Sequence, residues 1–158
     1  NSVRTMDQNA FSNNRLKTVQ LSNRLTSIAY GAFINNQITE IELHEGLTSI
    51  SNYAFQNNQI IEIEFPRSMT LIYFGSFQNN RITSITFNDG IQTIYNSAFQ
   101  NNNLQTLTIR SQVASIMSSA FSGNTDLTSV TVEGDAGRFN DSWLSIGLPI
   151  ELLPDEED

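Results

Sequence analysis

The sequence has no cysteine, one histidine (His44), one lysine (Lys17) and three prolines. Without cysteine there can be neither disulfides nor thiolate metal sites. With one histidine, any Ser-His-Asp device depends on His44, and no G-x-S-x-G elbow is present. Phosphate-loop, dinucleotide and Ca²⁺-hand motifs are also missing. The sequence therefore gives no reason to expect an enzyme, a metal site or a cofactor. No apolar run approaches the ~20 residues needed to span a membrane. Charged residues are scarce, at 15%, so Asn, Gln, Ser and Thr must supply the polar surface.

The net charge of −8 is concentrated at one end of the chain. From Glu133 onward, eight acids (Glu133, Asp135, Asp141, Glu151, Asp155, Glu156, Glu157, Asp158) face one base, Arg138. That segment carries −7 and leaves −1 for residues 1–132, where eight acids meet seven bases. The body is nearly neutral and has no basic stripe to track a phosphate backbone, which argues against nucleic acid as a partner.

What the chain does have is a repeat. Phenylalanine recurs at Phe11, Phe33, Phe55, Phe77, Phe99 and Phe121, each 22 residues after the last. It is preceded by Ala10, Ala32, Ala54, Ser76, Ala98 and Ala120. With Phe as position 1, position 4 is always Asn (Asn14, Asn36, Asn58, Asn80, Asn102, Asn124), and position 3 is Asn in the first five units. Apolar residues follow at positions 6, 9 and 11, as in Ile38, Ile41 and Leu43, and at 15 and 18, as in Leu47 and Ile50.

Alternation at positions 9 and 11 is the period-two signature of a strand with one buried face. A second short extended piece is expected at positions 15 to 18, and a helical or 3₁₀ turn around the Ala-Phe pair. One unit cannot bury its own apolar side, but units stacked in register form a continuous core, with phenylalanines in a ladder. The Asn columns are expected to satisfy backbone groups at tight corners and to bond from coil to coil. The predicted fold is an α/β repeat: a curved solenoid of 22-residue units with short strands.

The columns LxxIxL, LTSI and AF..N together resemble the BspA-like class of leucine-rich repeats over residues 1 to about 132. The resemblance implies a secreted or surface-anchored protein active in adhesion and protein binding, with no catalytic residues to carry over. The chain departs from that pattern at two places. Asn stands at position 4 where many such units have Cys, and Tyr73, Tyr95 and Met117 follow the TSI where many have Gly.

Two segments are expected: a solenoid over residues 1–132, with five full units and partial ones at its ends, and a cap with an acidic tail over residues 133–158. Val3, Met6 and Ala10 occupy positions 15, 18 and 22, so the chain opens in mid-repeat, as if cut from a longer array. That uncovered coil is expected to self-associate weakly. One extra residue precedes Leu127, and Val130 and Val132 complete a last strand. The following segment departs from the rhythm, with Phe139, Trp143, Leu144, Ile146 and Leu148 reading as a lid and DEED as a solvated tail.

Two surfaces stand out as ligand-binding candidates. The outward positions 8, 10 and 12 hold Glu40, Glu42 and His44 in one coil and Glu62, Glu64 and Pro66 in the next. With strands about 4.8 Å apart, four carboxylates share one patch suited to a basic partner. The plain alternative is a solvated acidic spot, and a cation site ranks behind both. The second surface is an aromatic edge of Tyr73, Phe74 and Tyr95, either interface anchors or extra packing over the turn. The expected function is non-catalytic binding of a protein or glycan. The alternatives are an accessory module of an extracellular enzyme and a structural stalk.

Overall fold

The computed structural model describes residues 2–134 and the backbone of strand residues 150–153. The lid residues expected after residue 134 and the acidic tail lie outside the described residues. Within them the chain winds as a solenoid of 22-residue coils, each contributing two short strands that pair with the equivalent strands of neighbouring coils. One wall contains β1 (Thr18–Val19), β3 (Glu40–Ile41), β5 (Glu62–Glu64), β7 (Ser84–Thr86), β9 (Thr106–Ile109) and β11 (Ser129–Glu133). The other contains β2 (Ser27–Ile28), β4 (Ser49–Ile50), β6 (Leu71–Ile72), β8 (Thr93–Ile94) and β10 (Ser115–Ile116). All pairings are parallel, as expected when each strand meets its own repeat one coil later.

The register confirms the period. Thr18 pairs with Glu40 and Glu62 with Ser84, 22 residues apart, while Ser129 pairs with Thr106, 23 apart. The extra residue before Leu127 is thus absorbed in the turn, and Val130 and Val132 still point inward beside Leu107 and Ile109. The last segment adds one further strand to the wall. Its backbone at β12 (Ile150–Leu153) joins β11 in parallel, with Val130 opposite Ile150.

The core is a set of columns. Rings from Phe11 to Phe121 stack face to face at 5.3–5.6 Å with interplanar angles of 5–12°. Phe65 and Phe87, from the strand wall, meet this ladder edge-on, at 5.6 Å for Phe65 on Phe77. Such pairs gain about 0.5–1.5 kcal/mol beyond the area they bury. The alanines beside the ladder are fully buried from Ala32 onward, and Ser76 stands in their place in one coil with a buried hydroxyl that has no partner. At the first coil the ladder opens. Phe11 is 45% exposed whereas Phe55 and Phe77 are 0% exposed. A shallow apolar hollow of about 280 Å³ lies there among Val3, Met6, Phe11 and Leu16, on the face expected to self-associate.

The expected helical or 3₁₀ turn is not what forms. Among the described residues there is no helix. The Ala-Phe segment instead makes two consecutive tight turns, closed in one coil by Ala32 N–H to Ala29 O and Ile34 N–H to Gly31 O. Two residues per coil are left-handed. Position 21 holds Asn9, Gly31, Tyr53, Gly75, Ser97 and Ser119, and position 3 holds Asn13, Asn35, Asn57, Asn79, Asn101 and Gly123, all with φ of +56 to +76°. A left-handed residue interrupts a helix and turns its amide outward along the stack. Gly31, Phe33 and Asn35 accordingly donate to Asn52, Ala54 and Gln56 of the next coil, at 2.9–3.1 Å. The corner becomes a coil-to-coil ladder without forming strands. Asn at position 3 is explained directly, since Asn tolerates this conformation better than other side chains, and where it lapses Gly takes over.

Position 4 completes the corner. Asn80 donates from Nδ2 to Phe55 O at 2.9 Å and to Phe77 O at 3.1 Å, and accepts from Ile60 N–H at 3.0 Å. Asn36, Asn58, Asn102 and Asn124 repeat this pattern, and all five are buried. Each amide joins two coils, giving one backbone N–H its acceptor and sharing the phenylalanine carbonyls inside the stack with the Asn of a neighbouring coil.

Candidate functional site

The strand wall is built from the plainest local rule in the chain, alternation. Along β5, Ile63 points into the core while Glu62 and Glu64 face solvent. On β3, Glu40 faces solvent and Ile41 is half-buried, and Glu42 beyond it is exposed. The structure therefore brings together the four carboxylates expected to share a patch: Glu40 and Glu42 from one coil, Glu62 and Glu64 from the next. The setting is more enclosed than an open sheet. A groove of about 1220 Å³ runs across β1, β3, β5 and β7, and all four glutamates line it.

Its lining decides its electrostatics. Glu45 adds a fifth carboxylate, and neither Lys nor Arg is among the lining residues. Outside the acidic centre the lining is neutral: Thr18 and Gln20 on one flank, Ser84 and Thr86 on the other. Like charges at this spacing repel by roughly 1 kcal/mol per pair in water. Among the described residues no lysine or arginine offsets that repulsion within the groove. Two ion pairs between described residues lie elsewhere, joining Arg110 to Asp89 at 3.4 Å and to Glu133 at 3.1 Å.

His44 lines the same groove, but its chemistry is partly committed to the fold. Its Nδ1 accepts the Gly46 N–H at 3.1 Å, closing the turn after the strand. Ser22 does the same for Arg24 N–H at 3.3 Å, and Asn88 for Gly90 N–H. In three coils position 12 thus closes the turn through a side-chain acceptor, while Pro66 and Arg110 hold it in the other two. A signal for this role was visible in the shared His44-x-Gly46 and Asn88-x-Gly90 spacing. The other nitrogen, Nε2, is buried with no hydrogen-bond partner. Among the described residues, no three His, Asp or Glu side chains converge in a way that could hold a metal ion.

The aromatic edge proves to be two groups. Tyr73 and Tyr95, at position 19, stack at 5.6 Å with an interplanar angle of 3°. Phe74 belongs with a second set: it meets Tyr53 edge-on at 5.2 Å, and Tyr53 meets Tyr30 edge-on at 5.6 Å. The sequence reading missed Tyr30 and Tyr53 because they occupy different positions of the repeat, 20 and 21, and touch only through the offset between coils. It also placed the turn glycine at position 19. The left-handed residues lie two places later, so Tyr73, Tyr95 and Met117 replace no glycine that the backbone requires. All of Tyr53, Tyr73, Phe74 and Tyr95 are partly buried; Tyr30 is exposed.

Comparison with known proteins follows the same lines as the fold. Residues 1–103 and 48–145 match the family model for the BspA type leucine rich repeat region, in six copies. No curated protein sequence matches. Among solved structures, the pneumococcal vaccine antigen PcpA superposes with a TM-score of 0.66 at 25% identity, over 81% of this chain and 35% of that one. A leucine-rich repeat protein from Bacteroides ovatus gives a TM-score of 0.53 at 20% identity, over 89% of this chain and 43% of that one. The chain thus spans less than half the length of either structure.

Proposed function

The chain belongs to the BspA-type leucine-rich-repeat family, and from that premise we propose that it is a non-catalytic binding module of a secreted or cell-surface protein, whose groove receives a basic segment of a protein partner. The observation that carries this reading is the groove of about 1220 Å³ lined by five glutamates and by neither lysine nor arginine. The pneumococcal neighbour is a vaccine antigen, which supports a surface location. Coulomb attraction between exposed groups steers encounter more than it holds the complex.

The test is kinetic. Replacing Glu40, Glu42, Glu62 and Glu64 together by Gln should slow association with a basic partner and flatten its salt dependence, since such charges are screened beyond ~8 Å at physiological ionic strength. The fold should stay intact, with a change in stability under about 1 kcal/mol, because exposed charges contribute little. Association rates that are the same in the variant and the wild type at low salt would reduce the groove to solvated surface.

The stacked pair of Tyr73 and Tyr95 supports a second reading, in which the aromatic edge anchors a protein or glycan. It differs in kinetics. Tyr95→Ala would then speed dissociation, and binding would depend little on salt. A spacer stalk would show neither response.

A further inference from the structure

Four large apolar side chains stand exposed among the described residues: Val3, Phe11, Tyr30 and Ile61. Val3 and Phe11 belong to the open first coil, and Tyr30 rests against Tyr53. Ile61 has neither excuse. It is 47% exposed in the middle of the stack, and it lines the acidic groove immediately before Glu62.

The repeat makes this residue conspicuous. Position 7 is held by Lys17, Thr39, Ile61, Thr83 and Gln105, all exposed, and Ile61 alone is apolar. The backbone there is paired on both sides: Ile61 donates to Thr39 O at 3.2 Å and accepts from Thr83 N–H at 2.8 Å. That ladder is the same whichever side chain is present, so the coil does not need isoleucine. A single exposed aliphatic residue is ordinary on a protein surface. One set among five carboxylates, in the lining of the acidic groove, is placed where a docking partner would cover it.

Resting on the groove reading above, we propose that the partner is an extended segment in which a large aliphatic or aromatic side chain, seated on Ile61, is flanked by lysine or arginine. Carboxylates alone would attract any cation and discriminate little. An apolar contact covered by the partner supplies what the charges cannot, a slow dissociation and a preference for one side chain. The along-strand separation of Glu62 and Glu64, two residues or about 6.6 Å, equals the spacing of alternate side chains in an extended partner.

The experiment titrates two nonapeptides, both of lysine alternating with serine, one with leucine at its centre and one with alanine. Fluorescence anisotropy is followed at low and high salt. Wild-type protein should bind the leucine peptide about tenfold more tightly, the effect of burying a few methylene groups. Ile61→Thr, which restores the residue of the neighbouring coils, should erase that preference and leave the alanine peptide's affinity and salt dependence unchanged. A leucine preference that survives Ile61→Thr overturns the proposal. So does equal, salt-dependent binding of both peptides by the wild type, which would leave the groove reading standing. If neither peptide binds at low salt, the groove reading falls, and the role of Ile61 falls with it.

Discussion

The two sides of each coil treat their side chains in opposite ways. At the corner, positions 22, 1, 3 and 4 scarcely vary, and nearly every polar group there is used for structure. The buried Asn column ties phenylalanine carbonyls to amides of the preceding coil, and an exposed Asn ladder runs beside it, with Asn79 donating to Asn57 at 2.7 Å. On the strand wall, the backbone pairs with itself and the outward side chains are free to change. There Thr18, Glu40, Glu62, Ser84 and Thr106 succeed one another at the same position. The difference teaches where recognition can reside. A surface whose side chains complete the backbone's hydrogen bonds cannot vary without cost, whereas one whose backbone is already paired can.

The sharpest way to break that comparison is through the corner's core. Phe77→Ala, in the middle of the ladder, should cost about 3–5 kcal/mol in chemical denaturation. A loss under about 1 kcal/mol would mean that the ladder is not what holds the coils together.

Next come the two asparagines that adjoin in sequence. Asn80→Ala removes the buried amide and strands the Ile60 N–H, while the Phe55 and Phe77 carbonyls each keep one donor, from Asn58 and Asn102, for a cost of about 1–3 kcal/mol. Asn79→Gly keeps the left-handed backbone, as Gly123 does in the sixth coil, and loses only exposed bonds, for less than about 1 kcal/mol. Equal costs for the pair would remove the distinction between a structural and a surface column.

The smallest effect has the opposite sign. Ser76 is fully buried and its hydroxyl has no partner, at a position where the other full coils carry Ala. Ser76→Ala should raise stability by roughly 1 kcal/mol, because a desolvated, unpaired hydroxyl is removed. A lower denaturation midpoint would show that this hydroxyl is bonded after all.

Much of this was legible in the sequence. The period, the inward columns, the two strands per coil and the patch shared by Glu40, Glu42, Glu62 and Glu64 follow from spacing, because a strand's alternation and a solenoid's register are both local rules. The turn was misjudged because the residues at position 21 give no common cue. Asn9, Gly31, Tyr53 and Ser97 adopt one left-handed conformation, and only Asn and Gly advertise it. His44 looked like a surface group because its tie to Gly46 reads as sequence only when Ser22 and Asn88 are set beside it.

By itself, then, the sequence determined that identical units stack and which columns go inside, since a repeated hydrophobic pattern has only one economical burial. Tertiary structure alone decided the rest. It set which Asn column is buried, that Phe74 meets Tyr53 rather than Tyr73, and that the acidic strand wall is hollowed into a groove whose lining includes Ile61. Each of these depends on how one coil is offset from the next, and that offset arises from contacts between residues 22 positions apart, which no single unit contains.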